Sequence, residues 1–168
     1  GSEGKAGNGS LAAVNLNTRE ILWKRDDLPG MLERGAYVES QRAFVACGDG
    51  VLYCLDVNNK GGTIWAQQYM SKKAAAPRLL VPHRHEGIML VGTPEFDGRI
   101  MVVSRDGVTE LCQFNQRIIG GGWRNQNRLY VILAQGLAVV NLDRDGAKKM
   151  LLEAEMVSAC EGKDLLYA

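Results

Sequence analysis

Histidine is nearly missing from this chain. His83 and His85 are its only two, both within "PHRHEG", and residues two apart share a face only in a strand. A zinc site takes about three or four protein ligands, so this pair cannot build one alone, and the segment reads as an exposed turn between strands. Cysteine is sparse as well: Cys47, Cys54, Cys112 and Cys160 show no CxxC spacing. That argues against a disulfide framework and leaves buried apolar thiols within strands as the expectation. No apolar run approaches the roughly 20 residues that cross a bilayer as a helix, so direct membrane insertion is not expected. An excess of one charge is lacking too. The 20 Lys and Arg against 19 Asp and Glu leave a net +1, whereas nucleic-acid binders carry a basic face; nucleic acid is therefore not an expected partner. No Ser/His/Asp or Cys/His constellation is recognisable, and carboxylate pairs are too easily found among 19 acids to be promoted to acid and base.

What is present is apolar residue in quantity, 46% of 168 residues, enough for one domain that buries roughly two thirds of its unfolded surface. It is arranged in a repeat. The phrase "GSLAAVNLNTREILWKRD" from Gly9 recurs as "GVLYCLDVNNKGGTIWAQQ" from Gly50, a step of 41 residues. Fainter copies are "GRIMVVSRDGVTELCQF" from Gly98 and "QGLAVVNLDRDGAKKML" from Gln135. Each holds an apolar strand ending in a small polar residue (Asn15, Asp56, Ser104, Asn141), then a turn, then a second strand. The runs "RAFVACGDG", "GIMLVGTPEFDG" and "NRLYVILAQG" lead into these copies as β-hairpins with Gly-bearing turns.

Copies about 40 residues apart, each with several short strands, are the pattern of propeller blades. The expected fold is therefore all-β, a β-propeller of four-stranded antiparallel blades, about four in number. Residues 1–8 ("GSEGKAGN") read as a flexible segment or tag, and 9–168 as the repeats. Approximate blades are 35–75, 76–115 and 116–153, with half-blades at 9–34 and 154–168. The two halves either complete one another in a closed ring or belong to a slice of a larger propeller. "AKKMLLEAEM" is the one stretch with helical character, and the repeat frame makes it an outer strand.

The first copy resembles the quinoprotein-type (PQQ-like) propeller repeat, Ala-x-Asp-x-x-Thr-Gly-x-x-x-Trp. Ala13, Thr18 and Trp23 match in spacing, while Asn15 stands for Asp and Arg19 for Gly. The second copy keeps Asp56 and Trp65 with one extra residue between them and has Cys54 at the Ala position; the later copies have Cys112 and Met150 near the Trp position. The resemblance implies blade-docking roles for Ala13, Thr18, Trp23, Asp56 and Trp65, with each indole seated between adjacent blades. Trp-to-Ala changes there are expected to cost roughly 3–5 kcal/mol. Independently of the family, an Asx side chain at the strand end can accept hydrogen bonds from amides of its own turn.

The superfamily includes quinoprotein dehydrogenases, which bind PQQ and calcium, and propellers that serve as docking surfaces in protein-assembly complexes. Some of the enzymes carry adjacent cysteines, and no Cys-Cys dipeptide occurs here. The expectation is a non-enzymatic module without cofactor or metal that binds other proteins. The alternative is a segment of a PQQ-dependent oxidoreductase. Candidate partner contacts are Trp123 and Arg124 after the glycines of "IIGGGWR", Phe96 in "PEFDGR", and Arg84; Trp and Arg are enriched in interface hot spots. "IIGGGWR" lacks the Lys-Ser/Thr ending of a P-loop, so its glycines are expected to permit close backbone approach or a bulge. "SKKAAAPR" reads as a solvated basic loop.

Overall fold

The computed structural model describes residues 9–29, 36–70, 79–82, 88–91, 98–120, 123–142, 147–152, 160–161 and 166–167. Among them every regular element is a strand. Two compact units divide the chain, Gly1–Ala76 and Pro77–Ala168.

The first unit holds β1 (Gly9–Val14) and β2 (Ile21–Leu28), paired as a two-stranded antiparallel sheet. It also holds a four-stranded meander of β3 (Tyr37–Glu39), β4 (Arg42–Ala46), β5 (Val51–Asp56) and β6 (Gly62–Gln68). The second unit holds two more such meanders. One runs through β7 (Leu79–Pro82), β8 (Ile88–Val91), β9 (Arg99–Ser104) and β10 (Gly107–Gln113). The other runs through β11 (Trp123–Asn125), β12 (Arg128–Leu133), β13 (Gly136–Asn141) and β14 (Ala147–Leu152). The short pair β15 (Cys160–Glu161) and β16 (Leu166–Tyr167) follows. The start of "AKKMLLEAEM" is thus outer strand β14, as the repeat frame requires.

Burial is graded across each meander, and the sequence pattern shows why. β4 ("RAFVA") and β12 ("RLYVIL") are apolar without alternation and are buried after their first residue, as a strand covered on both faces must be. On β12, Leu129, Val131 and Leu133 enter a core with Ile100, Cys112 and Phe114, whereas Tyr130 and Ile132 pack oppositely with Leu137. The outer strands β2, β6 and β10 mix apolar with charged or amide side chains and bury one residue each. In the first unit Leu28 packs with Ala43, Val45, Cys47 and Leu55, joining the two sheets there. Cys47, Cys54 and Cys112 are buried thiols outside any disulfide, Cys47 lying just beyond β4 rather than within it.

Every outer pair carries a β-bulge. In β1/β2 it falls between Ala13↔Trp23 and Val14↔Ile21, leaving Leu22 unpaired; in β5/β6 it falls between Cys54↔Trp65 and Leu55↔Thr63, leaving Ile64 unpaired. The bulge re-aims the following residue, and in both copies that residue is the repeat tryptophan. The two copies without Trp have their bulge farther from the turn, at Leu111 and Leu151.

Candidate functional site

Three turns gather at one end of the first unit, and their construction follows from the Asx positions. Asn15 Oδ1 accepts the amides of Asn17 (2.9 Å) and Thr18 (3.3 Å), and Asp56 Oδ1 those of Asn58 (2.9 Å) and Asn59 (3.1 Å). In the second unit Ser104 Oγ accepts the Asp106 amide at 3.3 Å, the same device with a hydroxyl. The Asn15 turn closes through Arg19, whose amide donates to Asn15 O (2.7 Å) at φ 61°. The Asp56 turn closes through Lys60 (φ 51°) and Gly61 (φ 70°), with the Gly61 amide on Asp56 O at 2.9 Å. The β3–β4 turn, Ser40 and Gln41 at φ 48° and 68°, joins them because the Val57 amide donates to Gln41 O at 2.9 Å.

Trp23 and Arg25 fasten the first sheet to the Asp56 turn. The half-buried Trp23 donates its indole N–H to Val57 O at 2.8 Å. Its six-membered ring lies so close over Gly61 that a Cβ there would fall 2.8 Å from Cζ3. Gly61 is needed twice, for the left-handed φ and for this approach. Arg25 Nη1 donates to Gly61 O (2.8 Å) and Thr63 Oγ1 (3.0 Å), while its Nε and Nη2 grip the Asp27 carboxylate at 2.7 and 2.8 Å. Those bonds hold the Asp27 carboxyl below its ordinary range. At the β4–β5 turn, the other end of the meander, the Tyr53 hydroxyl donates to Asp49 Oδ2 at 3.2 Å. Burial first, and the Asp49 carboxylate second, push both the Cys47 thiol and the Tyr53 phenol up to about 12.

Large apolar side chains are left in solvent at this end. Leu16 is 88% exposed, Ile21 63%, Leu22 62% and Val38 58%, with Val14 and Ile64 also exposed. Val14 and Ile21 are cross-strand partners, so part of this set is contiguous.

The sequence-selected residues divide as follows. Ala13 is half-buried directly across from Trp23, and Thr18 is exposed with its amide in the Asn15 cap. Asp56 organises the turn on which Trp23 rests. Trp65 lies apart from that group, 8% exposed and tilted against Phe44 at 6.0 Å, and its indole nitrogen has no acceptor among the described residues. Trp123 sits in β11 across from Tyr130, and the exposed Arg124 donates Nε to Gln126 O at 2.8 Å. Gly120 approaches Ile132 closely enough that a Cβ would fall 2.9 Å from Cδ1, so close approach is what this glycine provides. Phe96, Arg84, His83, His85 and the basic stretch 71–78 lie outside the described residues. Sequence reasoning missed Arg25, Gly61 and the exposed apolar set. Only Arg19 and Lys60, at equal distance from Asn15 and Asp56, gave a signal that this end is unusual.

No protein-family model matches the chain, and no curated protein is similar to it in sequence. Solved structures are similar in fold. BamB from Moraxella catarrhalis, a β-propeller protein, superposes with a TM-score of 0.59 at 18% identity, covering 90% of this chain and 45% of its own. The computationally designed Ika8 protein superposes with a TM-score of 0.59 at 10% identity, covering 96% of this chain and 49% of its own. The chain therefore has a β-propeller fold built from four-stranded antiparallel blades, and spans about half the length of the structures it matches.

Proposed function

We propose that this chain is a non-enzymatic propeller module of the quinoprotein-like type that docks other proteins within a larger protein or complex. The observation that carries the reading is the exposed apolar set at the turn end of the first unit, Leu16, Ile21, Leu22 and Val38. Exposed apolar patches rimmed by polar residues mark interaction sites. The polar groups around them are occupied in building structure. Asn15 and Asp56 cap turns, and Arg25 and Asp27 fasten two sheets.

The rival reading, a segment of a PQQ-dependent oxidoreductase acting on an alcohol or sugar, requires residues that hold calcium beside the quinone. Among the described residues no three of His, Cys, Asp or Glu gather into such a set. Adding PQQ with calcium and following thermal unfolding separates the readings. A ligand of the native state at a hundredfold excess over its Kd adds about 2.7 kcal/mol, or roughly 5 °C and more for a chain of this size. An unchanged Tm is expected, and a rise of that order overturns the docking reading.

A further inference from the structure

We infer that the turn end of the first unit is a docking surface for an extended, acidic and apolar segment of a partner protein, with Arg19 and Lys60 as its cationic contacts. The inference rests on the docking reading above and names the partner's chemistry.

Its first support is where the backbone is strained. Five non-glycine residues with positive φ occur among the described residues, and four of them, Arg19, Ser40, Gln41 and Lys60, lie in these three turns. That region of φ is glycine's by steric preference. Arg19 and Lys60 occupy the same place in successive copies, four residues after Asn15 and Asp56, where the family pattern has glycine in the first. A long cation therefore stands twice where backbone geometry favours no side chain at all. Strain of this kind collects where a side chain is needed for something other than stability.

The second support is charge. Both side chains are exposed, and neither cationic head has a carboxylate partner among the described residues. The Asp56 carboxylate accepts amides of its own turn, and both it and Glu39 lie across from Arg42. The third support is the apolar set beside these cations, with Leu16 between Asn15 and the amide-bearing Asn17 and Thr18, and Val38 beside Glu39 and Ser40. A strand whose successive side chains point to opposite faces, carrying carboxylates and aliphatic groups, can meet both kinds of contact.

A rival occupant is a further sheet of this same repeat. Leu55 and Val57 of the second sheet are packed beneath the first sheet, and Val14 and Leu16 are their counterparts in the first. Such a sheet would seat on the apolar residues and would have no need of Arg19 or Lys60.

The test uses the full chain and a fluorescein-labelled peptide of alternating glutamate and leucine, followed by anisotropy, with glutamine–leucine and lysine–leucine peptides as controls. The acidic peptide is expected to bind, to weaken as salt rises because exposed charges are screened, and to outcompete both controls. Arg19→Asn combined with Lys60→Asn is expected to weaken it about tenfold while leaving Tm unchanged or higher, since asparagine tolerates left-handed backbone. Leu16→Ser is expected to weaken it without changing the salt dependence. Equal binding by the double variant, or by the glutamine–leucine peptide, overturns the inference. So does concentration-dependent growth in the chain's mass that the double variant retains, which would assign the surface to a second copy. Failure of these peptides without a quinone-induced Tm shift removes this surface alone, whereas a quinone shift removes the docking reading itself.

Discussion

The two repeat tryptophans should respond differently to replacement by phenylalanine, because only one of them uses its N–H. Trp23 donates to Val57 O at 2.8 Å and covers Gly61. Trp23→Phe removes a hydrogen bond worth about 1 kcal/mol net and part of a half-exposed contact, for a loss of about 1–2 kcal/mol. Trp65 is 8% exposed and its nitrogen has no acceptor among the described residues. Trp65→Phe opens a small cavity costing about 1–2 kcal/mol but removes a buried, unpartnered donor whose burial costs about 1–3 kcal/mol. The terms oppose each other, and the change should be near zero. Replacement by alanine reverses the order. Trp65→Ala should cost about 3–5 kcal/mol as a core truncation, and Trp23→Ala less, because its ring is partly in water already. Thermal unfolding followed by circular dichroism reads these as shifts of about 2–4 °C per kcal/mol for a chain of this size. Trp65→Phe as damaging as Trp65→Ala, together with a neutral Trp23→Phe, would refute the assignment of the two indoles.

Gly98 and Gly107 both have positive φ, at 74° and 146°, but a Cβ on Gly98 would meet Gln116 O at 2.5 Å and Phe114 O at 2.7 Å, while nothing lies within 4 Å at Gly107. Gly98→Ala should therefore lower Tm clearly more than Gly107→Ala, the backbone oxygens being unable to step aside. Asp56→Ala, which frees two turn amides from a charged acceptor, should cost about 1.5–3 kcal/mol in urea unfolding, and Ser104→Ala, with its single 3.3 Å bond, about 0.5–1 kcal/mol. Cys47 and Tyr53 keep their protons to about pH 12 when folded and release them near pH 9–10 when unfolded. The folded state then binds more protons between those limits, so stability is intact below pH 9 and falls as pH rises toward 12. Cys47→Ala should flatten that alkaline decline in a pH series of melting curves, and an unchanged slope would reject the burial argument.

The strand pattern and the Asx turns were legible because each is a local matter. Apolar runs ending in Asn15, Asp56 or Ser104 produce the strand and its cap from neighbours in sequence alone. The bulges were not legible, since alternation along a strand does not reveal where one residue is skipped, and a slip of one residue moves every side chain to the other face. The extra residue between Asp56 and Trp65 illustrates the limit. It could have displaced the tryptophan, but the turn absorbs it through Lys60 and Gly61, and Trp65 remains opposite Cys54 as Trp23 remains opposite Ala13. Arg25 was invisible for another reason. In "ILWKRDD" it reads as one more charge on a solvated strand, and only the tertiary approach of Gly61 O and Thr63 Oγ1 gives it a structural task.

Loss of the tryptophan in the later copies and movement of the bulge belong together. With Trp23 and Trp65 the skipped residue sits beside the turn and rotates a large ring out of the strand's ordinary alternation. Where the position holds Cys112, the strand stays regular near the turn through Gly107↔Ser104 to Glu110↔Met101, and the bulge at Leu111 turns Cys112 into an aliphatic core with Ile100 and Val131. A small thiol cannot reach across to a neighbouring turn, so the contact that an indole makes by hydrogen bond is replaced by apolar packing among Ile100, Phe114, Leu129 and Val140. The repeat thus uses two ways of joining sheets, one anchored by a polar contact at its end and one buried in its middle. The first leaves the turns outside the core, where side chains such as Arg19 and Lys60 are available to a partner.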